Sequence, residues 1–287
     1  MILIADGGST KADWILLDKT GDQVFKTRTE GLNPEILSAD MLKNRIETNE
    51  DITSYKDKVT EVYFYGAGCG TARLTSLLKS IFQSFFKNAE IVVKEDTFAA
   101  VYAVTTKPSI VCILGTGSNS CYFDGKNVDV RVPSLGYILM DEASGNYFGK
   151  KLIRDYYYHK MPNAIAKLFE AQFDLDADVI KRNIYKEENP NAYLAHFAEF
   201  IFKNERTPYF NKVLQKGIKE FFVNRILPYQ ESAHVPVHFV GSIAFFSQDI
   251  INDVARYYMV EIGNIVRRPI DGLIEYHREK IKLCGNC

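Results

Sequence analysis

A chain of 287 residues with 46% hydrophobic content is long enough to bury two cores rather than one. Its 35 Lys and Arg against 36 Asp and Glu leave a net charge of -1, which argues against a basic surface for nucleic acid or an anionic membrane and favours small-molecule chemistry. Met1-Ile2-Leu3-Ile4-Ala5 has no basic leader and meets Asp6 too early for a secretory core, and no apolar run is long enough to cross a bilayer, so a cytoplasmic protein is expected.

The chain opens with a short apolar run, Ile2 to Ala5, a turn at Asp6-Gly7-Gly8-Ser9-Thr10-Lys11, a second run from Ala12 to Asp18, and a third from Gln23 to Thr29, which together predict a β-meander. After the glycines comes Trp14-Ile15-Leu16-Leu17, a strand-like stretch. In a Walker A or dinucleotide-binding motif a helix would begin there, so the loop reads instead as a hairpin tip. Helical spacing follows over Leu37 to Ile46 and Leu74 to Phe86, with strands at Glu61 to Tyr65, before Gly66-Ala67-Gly68, and at Ile91 to Val93. Asp96 falls where that last strand hands over to a helix from Phe98 to Val104.

Lys107-Pro108 marks a boundary, beyond which the opening pattern returns: a strand at Ser109 to Leu114, a polar glycine turn at Gly115 to Ser120, and a strand at Cys121 to Phe123 closed by Asp124-Gly125-Lys126. Two such units predict a duplicated domain, each copy offering a hairpin tip to a shared cleft. Phe148 to Pro228 reads as mostly helical, with breaks at Met161-Pro162, Asn189-Pro190 and Thr207-Pro208. Tyr156-Tyr157-Tyr158 and Phe221-Phe222 are expected to pack helices. Val237 to Val240 is a strand before Gly241-Ser242 and a helix from Ile243, and Leu273 to Lys282 forms a closing helix. The five cysteines are too scattered for a disulfide framework; Cys112 and Cys121 are expected in the core, and Cys284 and Cys287 as an incidental C-x-x-C tail.

Tight glycine turns let backbone N–H groups converge on phosphate oxygens, and the Thr10 hydroxyl adds a donor without blocking approach. Asp6 can hold hydrated Mg²⁺ beside those phosphates. The second loop, Gly115-Thr116-Gly117-Ser118-Asn119-Ser120, and the late Val240-Gly241-Ser242 element add two more contacts in the order of an actin-like ATPase core. Bland readings stand beside these: Asp96 as a helix N-cap, Asp141-Glu142 as a solvated acidic pair, Asn33 before Pro34 as a turn former, and Lys11 as a solvated strand-edge cation.

In order and spacing, I-A-D-G-G-S-T-K near the start, G-L-N-P at Gly31 to Pro34, Y-G-A-G at Tyr65 to Gly68 and E-D-T at Glu95 to Thr97 resemble the BadF/BadG/BcrA/BcrD-type ATPases, and within them the N-acetylglucosamine kinase-like proteins. The match continues through I-L-G-T-G-S-N-S at Ile113 to Ser120, S-L-G-Y-I-L-M-D-E-A-S-G at Ser134 to Gly145 and F-V-G-S at Phe239 to Ser242. The resemblance implies an α/β protein of two duplicated actin-like, ribonuclease H-like lobes with a central ATP and substrate cleft. It places an N-terminal lobe at 1–107, joined by the C-terminal helix 270–287, and a second lobe with a helical insertion at 108–269. It implies Asp96 as catalytic base, and Gly8, Ser9, Thr10, Lys11, Gly115, Thr116, Gly117, Gly241 and Ser242 at the nucleotide. Asn33, Ser118, Asn119, Gly136 and Asp141, with Asp96, would lie at the sugar. The implied reaction is phosphorylation of an amino sugar such as N-acetylglucosamine or glucosamine by ATP and Mg²⁺.

Ser134-Leu135-Gly136 stands where eukaryotic-type N-acetylglucosamine kinases carry an aromatic between two glycines, which implies weaker stacking on the sugar. Two other functions fit the same residues: an ATPase that activates a partner enzyme, for which Cys69 would be the candidate cluster ligand, and a non-catalytic sugar or nucleotide sensor. The expected partners are a small-molecule sugar and a second copy of the chain in a homodimer, with no nucleic acid and no membrane.

Overall fold

β1 (Ile2–Gly7), β2 (Lys11–Leu17) and β3 (Gln23–Glu30) form the antiparallel meander that the opening residues predict. In the computed structural model, residues 1–8, 11–187 and 189–285 are described; Ser9, Thr10, Glu188, Asn286 and Cys287 lie outside them. The side chain of Cys284 does too. β4 (Glu61–Gly66) and β5 (Glu90–Glu95) join parallel to β1, giving the order β3-β2-β1-β4-β5. Parallel pairing requires long crossovers. These carry α1 (Ala39–Glu47), α2 (Glu50–Tyr55) and α3 (Ala72–Phe85). Ser38, Asn49 and Thr71 start those helices by accepting the N–H of the residue three positions on. α4 (Asp96–Val104) follows β5 directly.

Alternate strand residues enter opposite faces of this sheet. Leu3, Ala5, Trp14, Leu16 and Phe64 pack with Leu42, Leu78 and Phe82 from α1 and α3. Ile4, Ile15 and Leu17 pack on the other face with Ala99, Ile270 and Leu273. Trp14 is fully buried, and its indole N–H finds Thr29 Oγ1 at 3.0 Å, so the largest side chain of this core leaves no donor unsatisfied.

The same topology recurs later in the chain. β6 (Ser109–Leu114), β7 (Ser118–Phe123) and β8 (Val128–Asp129) run antiparallel, while β9 (Val237–Val240) and β10 (Ile262–Val266) add in parallel on the far side of β6. The order is therefore β8-β7-β6-β9-β10, strand for strand that of the first sheet. The long β8-to-β9 connection carries α5 (Gly145–Tyr157), α6 (Asn163–Gln172), α7 (Ala177–Tyr185), α8 (Pro190–Lys203), α9 (Pro208–Phe221) and a π-turn at Phe222–Ile226. α10 (Ser242–Phe246) and α11 (Gln248–Tyr258) precede β10, and α12 (Pro269–Gly285) ends the chain. Two compact units result: Met1–Ala103 with Arg268–Cys287, and Val104–Arg267. The architecture is α/β with one duplicated sheet topology, the class that the sequence predicts.

Several local expectations change. Ser118, Asn119 and Ser120 belong to β7 rather than to the turn, because Ser118 pairs with Leu114 and Ser120 satisfies its hydroxyl on Arg225 O at 2.8 Å. A strand tolerates serines when each has such a partner or a use. α2 and β10 are additional elements; β10 is interrupted by Gly263 and Asn264, which erase the apolar alternation, and is held by Asn264 N–H to His238 Nδ1 at 2.7 Å. Phe221 and Phe222 are buried as expected, whereas Tyr157 and Tyr158 are exposed and only Tyr156 packs against the core. Cys112 and Cys121 are buried.

His277 of α12 is buried beside Tyr63 and Tyr65, with Nε2 3.0 Å from the Tyr65 hydroxyl and Nδ1 without a partner among the described residues. Burial, then Lys280, pushes its pKa down to about 3. The unfolded chain therefore holds an extra proton between about pH 6.5 and that value, and the stability contribution present above pH 6.5 is lost as pH falls, by about 1.4 kcal/mol per pH unit once the unfolded imidazole is charged. Melting temperatures of the parent and His277→Phe, measured from pH 7.5 to 4.5, should diverge, with the parent losing more on acidification; parallel profiles would show that His277 is not buried neutral.

Candidate active site

Asp6 sits at the end of β1, Asp96 opens α4 at the end of β5, and both are half-buried. The Asp6 pKa is raised to about 7, first by burial and then by the neighbouring Asp96 and Asp13 carboxylates, with Lys11 pulling the other way. That of Asp96 is raised to about 6, chiefly by burial and by Glu95, against the backbone N–H groups at the start of α4. Carboxylates pushed toward neutrality by crowding and poor solvation are a mark of sites built for a cation or for proton transfer. Beside them the tip of the hairpin is closed by Gly8 N–H to Lys11 O at 2.8 Å, with the Lys11 side chain exposed; Ser9 and Thr10 lie outside the described residues.

Asn33 is 8% exposed, and its Oδ1 accepts Glu35 N–H at 2.9 Å, the Asx-turn geometry that a turn former adopts. The same oxygen lies against Gly68, where φ is +76° and a Cβ would stand 2.0 Å away. The Y-G-A-G glycine is thus the space into which Asn33 fits. Cys69, next in sequence, is buried, and its thiol is pushed up to about 12 by burial and by Asp96 and Glu95, so it is an unreactive neighbour of the carboxylates.

In the second unit the hairpin tip narrows to Gly115, Thr116 and Gly117, closed by Gly115 N–H to Gly117 O at 3.0 Å. Its carbonyls face the start of α5: Gly145 N–H donates to Gly115 O at 2.7 Å and Asn146 N–H to Thr116 O at 3.0 Å. Gly241 packs its α-carbon against the Leu114 carbonyl, one residue before the tip. A cavity of about 610 Å³ opens here, with Gly115, Thr116, Gly145, Ser242, Phe246 and Arg267 in its wall. It gathers the glycine tip and the Val-Gly-Ser element in one place, and the Arg267 guanidinium lies 5.0 Å from the Phe246 ring centre.

Asp141 is 6% exposed and left-handed, with φ +69°, as is Ala143 at +55°. Its carboxylate accepts Asn146 Nδ2 at 2.8 Å, and it fills the space over Gly117, where a Cβ would stand 2.8 Å from Oδ2. The solvated acidic pair is therefore excluded, since Glu142 is in turn bound by Arg225 Nε at 3.2 Å. Ser118 is buried, with a hydroxyl that has no partner among the described residues; Asn119 Oδ1 accepts Ser120 N–H at 2.9 Å, and Gly136 lies in the exposed loop before Asp141.

Comparison with solved structures supplies the relatives. A candidate N-acetylglucosamine kinase of Porphyromonas gingivalis superposes with a TM-score of 0.91 at 33% identity, covering 97% of this chain and 99% of that one. The chain belongs to that protein's family, the N-acetylglucosamine kinase-like proteins of the actin-like sugar kinase superfamily. A candidate N-acetylglucosamine kinase of Chromobacterium violaceum shares its fold at 13% identity and TM-score 0.70, covering 96% and 98% of the two chains. So does a ROK-family glucokinase of Streptomyces griseus, solved with glucose and AMPPNP, at 13% identity and TM-score 0.61 over 96% and 97%. No protein-family model matches the chain, and no curated protein does.

Within this kinase-like framework the structure adds residues that motif reading passes over. Arg225 is 1% exposed on the π-turn and holds both ends of the loop carrying Gly136 and Asp141, through Val132 O at 2.9 Å and Glu142 at 3.2 Å. Lys150 bonds the Tyr137 carbonyl in the same loop. Neither is marked by sequence, because each acts on a distant segment; only a charged residue amid the apolar run around Phe222 could have flagged Arg225. Because Asp6 and Asp96 titrate above their unfolded values, their contribution is present below about pH 4 and lost as pH rises through 6 to 7. Asp6→Asn should therefore stabilise the ligand-free protein at pH 8 relative to parent by on the order of 1 kcal/mol, read as a higher melting temperature, and change it little at pH 4.5. A variant less stable at pH 8 would remove the case for crowded carboxylates.

Proposed function

We propose that the chain transfers the γ-phosphoryl group of ATP to a hydroxyl of an amino sugar, N-acetylglucosamine or glucosamine, and that it falls in the BadF/BadG/BcrA/BcrD-type branch of the superfamily. Family membership supports sugar phosphorylation in general; Asp96 carries the reading of the transfer step, and the resemblance to N-acetylglucosamine kinase-like proteins carries the choice of sugar. A carboxylate at a strand-to-helix junction with a pKa of about 6 is ionised at neutral pH yet basic enough to accept a hydroxyl proton as that oxygen attacks phosphorus. Phosphoryl transfer needs little covalent help from the protein beyond alignment, neutralisation of charge and this acceptor.

In the proposed step the Asp96 carboxylate takes the sugar hydroxyl proton, the oxygen bonds to the γ-phosphorus, and ADP departs with the electrons of the broken β–γ bridge. Gly115, Thr116 and Gly117, with Gly8, Ser9, Thr10 and Lys11, contact the phosphates; Ser242 borders the cavity suited to the nucleoside, and Gly241 is assigned to the nucleoside beside it. Asn33, Ser118, Asn119, Gly136 and Asp141 face the sugar. Ser118 suits this role because its buried hydroxyl has no partner among the described residues. The donor set also fits Mg²⁺: Asp6 would hold the hydrated ion, with Asp13 and Asp96 near enough to raise its pKa, and the bound ion would supply neutralisation of phosphate charge. Few protein ligands and several waters are usual for this cation.

A Mg-ATP assay across N-acetylglucosamine, glucosamine, N-acetylmannosamine and glucose should give highest kcat/KM with one of the first two. In that assay Asp96→Asn should lower kcat by about 10² or more while leaving the sugar KM within a few-fold. Turnover equal to the parent's would sink the base assignment, and preference for glucose would sink the amino-sugar assignment.

A further inference from the structure

Asn146 is fully buried at the start of α5, and its single carboxamide joins two segments that otherwise have separate tasks. Nδ2 donates to Thr116 O in the glycine tip at 2.8 Å and to Asp141 Oδ2 in the loop at 2.8 Å. The backbone N–H of the same residue also donates to Thr116 O, so the tip is gripped twice. Rotating the amide would set Oδ1 against two acceptor oxygens, so the orientation is fixed by chemistry. The two hydrogens of a planar amide leave at a fixed angle; displacement of Thr116 therefore changes the bond to Asp141, and displacement of Asp141 changes the bond to Thr116. Asp141 cannot absorb such a shift freely, since it is left-handed and seated over Gly117.

We propose that Asn146 is a positioning residue that couples the two substrates: phosphate at the tip orders the carboxylate that faces the sugar, and sugar on Asp141 orders the tip. This rests on the assignment of the tip to nucleotide and of Asp141 to sugar. Coupling of this kind is reciprocal. The test is the ratio of AMP-PNP dissociation constants without and with saturating sugar, using the sugar that the panel identifies. The parent should show a ratio of about five or more, and Asn146→Ala a ratio near one. Asn146→Asp, which sets a second carboxylate against Asp141, should also bring the ratio down and raise the sugar KM more than the ATP KM. A purely structural role would lower stability and leave the ratio at the parent value; that result, or a parent ratio of one, overturns the proposal.

Should either variant not fold, hydrogen exchange in the parent decides: sugar alone should slow exchange in the peptide spanning the Gly115 to Gly117 tip, and no change overturns the inference. If no sugar is turned over, the proposed function fails, yet the link remains testable with AMP-PNP alone. Asp141→Ala should shift AMP-PNP affinity in the parent and not in the Asn146→Ala background, and an equal shift in both backgrounds would overturn it.

Discussion

The placement of Asp6 and Asp96 in the first unit depends on parallel register. Asp6, Tyr65 and Lys94 form one row across β1, β4 and β5, and Gly7, Gly66 and Glu95 the next. Asp96 follows immediately, so the two carboxylates are borne at the same end of strands separated by one neighbour, about 10 Å in backbone spacing. In an open α/β sheet this carboxyl end is where ligands are received. A slip of one residue in either pairing would turn one carboxylate to the opposite face, so the packing that fixes register also fixes the chemistry. Phe64 contributes directly: its ring occupies the space beside Gly7 and Gly66, where any side chain would collide with it.

The second unit repeats the topology and uses its hairpin tip differently. In both tips a backbone hydrogen bond closes the turn, Gly8 to Lys11 and Gly115 to Gly117. The later tip is in addition tied through its carbonyls to the start of α5, so that the first amides of that helix are spent on the protein. Its neighbour Asp141 is held by Asn146 and Ser134, and Glu142 by Arg225. Duplication thus supplies two similar frames, one carrying poorly solvated acids and one carrying acids that are already hydrogen-bonded or ion-paired.

This difference explains how far the sequence could be read. Strands β1, β2, β6 and β9 stand out as apolar runs beside glycines, because a tight tip needs glycine and a buried strand needs little else. The duplicated order follows from recurrence of that short pattern. Asp96 is legible as a carboxylate at a strand-to-helix junction, but its raised pKa is not, since it arises from burial and from neighbours that only the fold supplies. Asn33 illustrates the same limit: its turn geometry is local and readable before Pro34, while its fit against Gly68 needs the chain to return. Asn146, Arg225 and the strand placement of Ser118 to Ser120 all depend on partners in other segments, so no periodicity announces them.

The two units therefore meet the cost of polar burial in opposite ways. In the second, nearly every buried charge is matched: Arg225 spreads its guanidinium over a carboxylate, a carbonyl and the Met140 sulfur, and Asp155 takes Tyr209 at 2.9 Å as well as Lys151. Satisfied networks of this kind give rigidity because any displacement strands several partners at once. In the first unit, burial and neighbouring carboxylates raise the pKa of Asp6 and of Asp96, and Lys11 and the first amides of α4 only partly oppose this, an arrangement that lowers stability once the acids ionise. Unrelieved polar burial thus falls on the residues on which the chemistry is proposed to act, while in the second unit Asn146 and Arg225 tie the loop that carries Asp141 at several points.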